Sequence, residues 1–291
     1  MKKLLRRAAI LIGLLIIIFY GLALAYLRLQ ENPNAFIGAD LDAESRLTIT
    51  GQVSVPWDTV RVTTDDGVRI LLLESRLAET PDAPWVVYFY GRAGRLADNK
   101  GFAMYDLFRE AGLNVLALEY RGYGASEKMQ PTEGGLYHDA RAARRHLTGV
   151  RGVPVSRVVL YGYSLGGAVA VQLAGEMFPA GLITEGAFSS AVAWVHFHYP
   201  WIPAALVGLV LQNRFDNLDK ATSLSLPWLI FHGRRDDITP FAHAEALAGT
   251  TAGVRRLVPL ECGHEDAVEV ERDQMARALK DFLGGLFGLG L

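Results

Sequence analysis

Short apolar runs alternate with amphipathic ones through most of this chain, and that alternation limits the folds open to it. The runs at 85–90 (WVVYFY), 114–120 (NVLALEY), 157–163 (RVVLYGY), 181–186, 226–233 and 254–260 are rich in β-branched and aromatic residues. Runs of this length and composition mark strands buried on both faces. Between them lie segments with helical spacing: 105–112, which ends at a glycine, 136–147, the run after Ser164, and 265–283. Strands alternating with helices predict a mostly parallel sheet covered by helices on both faces. Residues 60–75 alternate on either side of Asp66-Gly67, a hairpin signal that gives the sheet an antiparallel edge. The expectation is one α/β domain over 56–285 with about eight strands.

A different constraint acts at the N-terminus. Residues 8–27 form a stretch of 20 residues without a charge, preceded by Lys2, Lys3, Arg6 and Arg7 and followed closely by Arg28 alone. As a helix this stretch is about 30 Å long, the thickness of a bilayer core. Segment 1–29 therefore reads as a transmembrane anchor spanning through residues 8–27. The basic flank puts the N-terminus in the cytoplasm and the domain on the non-cytoplasmic side. Ala23-Leu24-Ala25 also resembles a signal-peptide cleavage site, although the apolar run continues past it. Residues 30–55 are polar and mixed, with Asn32-Pro33-Asn34 and Gly38, and read as a linker.

Composition excludes several classes. The hydrophobic content of 51% supports a sizeable core and argues against disorder. A net charge of −2 gives no sign of the basic face that nucleic-acid binding requires. The single cysteine, Cys262, rules out an intramolecular disulfide and a thiolate metal cluster. It reads as a small buried thiol. No metal or organic cofactor is implied, and oligomeric state is not legible.

One serine stands where a strand meets a helix. Gly162-Tyr163-Ser164-Leu165-Gly166 fits G-x-S-x-G, a weak pattern by itself that gains weight from the β-branched run before it and the small-residue helix after it. A nucleophile here needs a sharp, strained strand-to-helix turn, and flanking glycines permit one where side chains would collide. The helix N-terminus adds free N–H groups where an oxyanion would form. The plain alternative is a serine N-cap.

A serine hydroxyl needs a base, and with this turn the partners follow in the order Ser, acid, His. Asp236 lies in the loop after the strand at 226–233, where open α/β sheets present functional groups. His264 lies in a glycine-containing loop between the last strand and the last helix. Of seven histidines, only His264 has both order and position, and His232 at a strand end reads as structural. Asp236 would fix the tautomer of His264 and stabilise the imidazolium. Asp237 is adjacent, and spacing alone does not remove it.

These stretches resemble the α/β-hydrolases, more narrowly the serine aminopeptidase-like, Bem46-like branch. The resemblance rests on EYRGYGASE (119–127), PTEGGLYHDARAARRHL (131–147), LYGYSLGGAVA (160–170), FHGRRDDITP (231–240) and CGHED (262–266). It covers most of the chain after the anchor and implies an α/β-hydrolase fold. It further implies that the backbone N–H groups of Arg92 and Leu165 form the oxyanion hole. The branch usually carries HGNAG after its third strand, and here the stretch is YGRAG (90–94). Arg92 then either points a cation into the pocket or lies on the surface. Residues 187–225, aromatic and broken by prolines, occupy the position of a short cap; the alternative is two core helices. An apolar rim facing the membrane is a further expectation for this segment.

The expected activity is hydrolysis of ester or thioester bonds in small acyl or lipid-like substrates through an acyl-enzyme. A peptidase or amidase using the same three residues is the competing enzyme reading. An inactive binding or scaffold protein on the same fold is the reading from outside enzymology.

Overall fold

A computed structural model describes residues 1–39, 57–80, 82–250 and 253–288. Eight strands form one sheet: β1 (Asp58–Thr63), β2 (Arg69–Ser75), β3 (Trp85–Phe89), β4 (Asn114–Glu119), β5 (Val158–Tyr163), β6 (Gly181–Glu185), β7 (Trp228–Gly233) and β8 (Arg255–Leu260). Their spatial order is β1-β2-β4-β3-β5-β6-β7-β8. β2 pairs antiparallel with both β1 and β4, and every other pairing is parallel. This is the expected sheet with its antiparallel edge, turned at Gly67 with φ +88°. Each residue of β3 to β7 is buried, whereas β1 and β8 expose part of their side chains as edge strands do.

Helices cover both faces. α1 (Lys2–Ala35) precedes the sheet; then come α2 (Asn99–Glu110), α3 (Glu133–Arg145), α4 (Leu165–Met177), α5 (Ala191–His198), α6 (Ala204–Val210), α7 (Asn217–Ala221), α8 (Ala242–Ala248), α9 (Ala267–Val270) and α10 (Arg272–Phe287). α3, α4, α7 and α8 pack as a row. α2 lies beside α9 and α10, tied to the latter by the Arg272–Glu110 ion pair. α2 starts six residues before the apolar pattern does, because the Asp98 side chain accepts from the N–H of Gly101 and caps it. α3 is likewise capped by Thr132. The expected closing helix is broken at Glu271 into α9 and α10.

α1 has 34 residues and is long and apolar enough to cross a membrane. It runs past residue 29 into the segment expected to be linker, carrying Pro33 in its last turn. The added turns hold because Glu31 is buried against the loop after α6, as described below. Residues 40–55 of the expected linker lie outside the described residues. Segment 187–225 contains the three short helices α5, α6 and α7. α5 touches the main core only through Ala191 among the described residues, and α6 contributes none to it. They form a second apolar cluster with α1, built on Leu27, Val195, Ile202, Val207 and Leu211.

Candidate active site

The order of the strands reverses around β3, whose neighbours β4 and β5 lead away in opposite directions, and ligands bind open α/β sheets at such a point. Ser164 sits there, between β5 and α4, with φ 51° and ψ −116°. Such a conformation is strained for a residue with a side chain. The neighbouring glycines make it possible. A Cβ on Gly162 would lie 2.3 Å from the carbonyl oxygen of Gly166, and one on Gly166 would lie 2.0 Å from that of Phe89. The chain therefore folds back on itself more closely than any other residue type allows.

Three side chains from separate loops meet at this turn. Nε2 of His264 is 2.9 Å from Oγ of Ser164, and Nδ1 of His264 is 2.6 Å from Oδ2 of Asp236. The other carboxylate oxygen of Asp236 accepts from the backbone N–H groups of Ile238 (3.0 Å) and Thr239 (2.6 Å), which fixes its plane. Asp236 is buried and Asp237 exposed, so the alternative that spacing left open has its side chain pointing away. Ser164 and His264 are each 8% exposed, so both are nearly buried yet still accessible. A hydroxyl, an imidazole and a carboxylate bonded in series can move the hydroxyl proton to Nε2 while Nδ1–H stays on the carboxylate.

Further residues support the three. Tyr163 donates its hydroxyl to the backbone carbonyl of His264 (3.1 Å). Gly186, at the end of β6 with φ +59°, leaves room for the imidazole; a Cβ there would stand 3.1 Å from its Cε1. His232 is fully buried and donates from Nε2 to the carbonyl of Thr239, with Oδ2 of Asp236 3.4 Å away. Burial lowers its pKa and keeps it neutral. His232, read from its strand-end place as structural, thus braces the turn that holds Asp236. Cys262 is buried next to this loop, and its thiol is pushed up to about 12, mainly by burial. It is an inert thiol rather than a competing nucleophile.

The YGRAG stretch has a structural account. Tyr90 is buried and donates its hydroxyl to Oε1 of Glu119 (2.9 Å), a carboxylate whose pKa burial raises. Arg92 is not a free surface side chain: it borders the same cavity as Ser164. Its Nη1 donates to the carbonyl of Asn34 (2.8 Å) near the end of α1, and its guanidinium lies 5.8 Å from the ring centroid of Trp194. The carbonyl of Arg92 accepts from Gly38 N–H (2.8 Å) and from the Tyr123 hydroxyl (2.9 Å). Leu165 is the first residue of α4, so its N–H has no intrahelical acceptor. Arg92, Leu165 and Ser164 all border one cavity of about 280 Å³, lined also by α5 and by the last turns of α1.

An eight-stranded, mostly parallel sheet with a serine on a strained turn over its switch point is the architecture of the α/β-hydrolases. Comparison with known proteins agrees. Residues 94–263 match the model of the alpha/beta hydrolase family. A Mycobacterium tuberculosis protein described as uncharacterized is 33% identical over 225 residues, covering 77% of this chain and 78% of that one. Protein bem46 of Schizosaccharomyces pombe is 25% identical over 86% of this chain and 84% of its own length. Among solved structures, a Pyrococcus furiosus esterase superimposes with a TM-score of 0.66 at 19% identity, covering 82% of this chain and 96% of that one. The chain belongs to the α/β-hydrolase family, in its Bem46-like branch.

Proposed function

We propose that this protein is a membrane-anchored serine hydrolase that cleaves ester or thioester bonds of small acyl or lipid-like substrates. The observation that carries the reading is the unbroken line of hydrogen bonds from Ser164 through His264 to Asp236 at the floor of an apolar cavity. His264 takes the proton from Ser164 as Oγ attacks the acyl carbonyl. The N–H groups of Arg92 and Leu165 hold the tetrahedral oxyanion. His264 then gives its proton to the leaving alkoxide or thiolate, and an acyl-serine remains. Water enters, loses a proton to His264 and attacks that acyl group. Collapse returns Ser164 and releases the acid.

The cavity favours an acyl ester over an aminopeptidase substrate. A free α-amino group calls for an anionic partner, and Glu31 is the one carboxylate among the described residues bordering the cavity. Its Oε1 is already taken by the N–H groups of Gln212 (2.8 Å) and Asn213 and by the Asn213 amide (2.9 Å). Its Oε2 is paired with Arg28. In this reading α1 crosses the bilayer with its basic end in the cytoplasm and the domain on the other side. Phe197, Trp201 and Leu209 on and between α5 and α6 expose apolar surface beside α1, which suits a rim lying on that membrane.

Fluorophosphonate labelling followed by peptide mapping tests the site. Labelling at Ser164, lost in Ser164→Ala, is the expected result, and an unlabelled protein would identify an inactive scaffold. Turnover of p-nitrophenyl esters but not of aminoacyl-p-nitroanilides is expected; cleavage of anilides alone would establish the peptidase instead. Protease added to sealed membranes should digest the domain only from the non-cytoplasmic face.

A further inference from the structure

The membrane helix does more than tether. We infer that residues 26–37, the last turns of α1 and the turn after it, form the acyl-chain wall of the active-site cavity. The substrate's acyl group then lies between the protein's own membrane helix and α5. This inference rests on the hydrolase reading above and names the substrate class of that same site: esters whose acyl chain enters from the bilayer.

Three observations converge. The cavity that opens onto Ser164 is bordered on one side by Tyr26, Leu27, Ala35 and Ile37, and on the other by Trp194 and Leu211. The helix is fixed there by specific bonds, since Glu31 collects donors from the loop after α6 and Arg92 donates to Asn34. Gly38 continues the clamp, donating to the carbonyl of Arg92 while packed so closely that a Cβ would stand 2.6 Å from the Tyr123 ring. Within the uncharged stretch itself, Tyr20 donates its hydroxyl to the Trp201 carbonyl (3.1 Å), and the Phe19 ring lies tilted against Trp201 at 5.3 Å.

Length supplies the third argument. Beyond the uncharged stretch 8–27, which matches a bilayer core, α1 continues through residues 28–35 for about 12 Å, so its last turns stand clear of the hydrocarbon and against the domain. On the cavity wall that α1 supplies, the apolar Tyr26, Leu27, Ala35 and Ile37 stand beside the polar Gln30, Glu31 and Asn34, and the Glu31 carboxylate is turned to its own donors in the loop after α6. The same segment brackets Arg92, whose N–H is an oxyanion donor in the mechanism above. α1 thereby shapes the acyl site and positions part of the oxyanion hole.

The test uses the full-length wild-type chain in phospholipid vesicles. A dodecyl fluorophosphonate carrying a diazirine in mid-chain is reacted, irradiated and mapped. The expected result is attachment at Ser164 with the photo-crosslink in residues 26–37. Attachment at Ser164 with crosslinks confined to α5, α6 or lipid overturns the inference and leaves the hydrolase reading intact. No attachment at Ser164 overturns that reading and the inference with it. A second measurement substitutes Leu27→Trp, which narrows the cavity from the α1 side. The ratio of kcat/KM for octanoyl over acetyl p-nitrophenyl ester should fall about tenfold or more. An unchanged ratio in a protein still labelled at Ser164 counts against the wall.

Discussion

Asp236 and Asp237 differ by one position and by almost everything else. The first is buried, receives two backbone N–H groups and faces His264; the second is exposed. Asp236→Asn should lower kcat about 10³–10⁴-fold with little change in KM, because the amide disfavours the His264 tautomer that accepts from Ser164. Asp237→Asn should leave ester turnover unchanged, and the reverse pattern in steady-state kinetics would reassign the acid. Sequence order places Ser164, Asp236 and His264 at strand ends, and motif phase favours Asp236, but spacing alone leaves the neighbouring aspartate open. That choice depends on which carboxylate a turn folds inward. His243 was equally illegible. It is buried on α8, and its Nδ1 accepts from the N–H and hydroxyl of Ser189, at the root of the segment that forms α5. Burial, helped by nearby His232, pulls its pKa from 6.5 to about 4. As pH falls below 6.5 the unfolded chain takes up this proton before the folded one does, so stability is complete above 6.5 and declines toward 4. The loss reaches about 3 kcal/mol by the lower end. Urea midpoints measured from pH 7 to 4.5 should show this decline in the parent and a shallower one in His243→Asn.

At the scale of elements, α4 shows how much a single turn demands of its helix. Gly166→Ala would drive a Cβ to within 2.0 Å of the Phe89 carbonyl oxygen and 2.7 Å of the Tyr90 one, both backbone atoms with nowhere to go. The expected cost is about 3 kcal/mol or more in urea unfolding, with loss of the Ser164 geometry. Gly175→Ala on the same helix meets only Leu224 Cδ2 at 3.6 Å, an ordinary contact, and should stabilise by up to about 1 kcal/mol. Equal effects from both would mean that helix propensity, not the close approach to β3, governs the site. The strands were legible because each central one must be apolar along its whole length to sit between two layers of helices. Helix starts were less so, since Asp98 and Thr132 set them through side-chain caps ahead of the apolar pattern. The identity of the YGRAG stretch carried no sign that Tyr90 would reach Glu119 in the core and Arg92 the Asn34 carbonyl of α1.

For the whole molecule, the question is whether α1 and the α/β domain are two parts or one. The sequence separates them, because an uncharged stretch followed by polar, proline-containing residues reads as an anchor and a linker. The structure joins them through bonds that leave no sequence signature: most of the donors to Glu31 and Asn34 are backbone groups, a loop amide or an arginine. Glu31 is the sharpest probe of that joint. It is 7% exposed, and Glu31→Ala strips the acceptor from two backbone N–H groups and one amide at once. Each donor left buried and unmatched costs about 1–3 kcal/mol, less where water reaches it. For a domain of this size each kcal/mol lowers Tm by about 2–4 °C. If α1 unfolds together with the domain, Glu31→Ala in detergent should lower Tm by about 5 °C or more. Glu31→Gln should recover part of the loss, since its carbonyl oxygen accepts two of the three bonds. An anchor merely tethered beside the domain would show the same Tm in all three proteins, because its loosening would be invisible to a transition that belongs to the sheet.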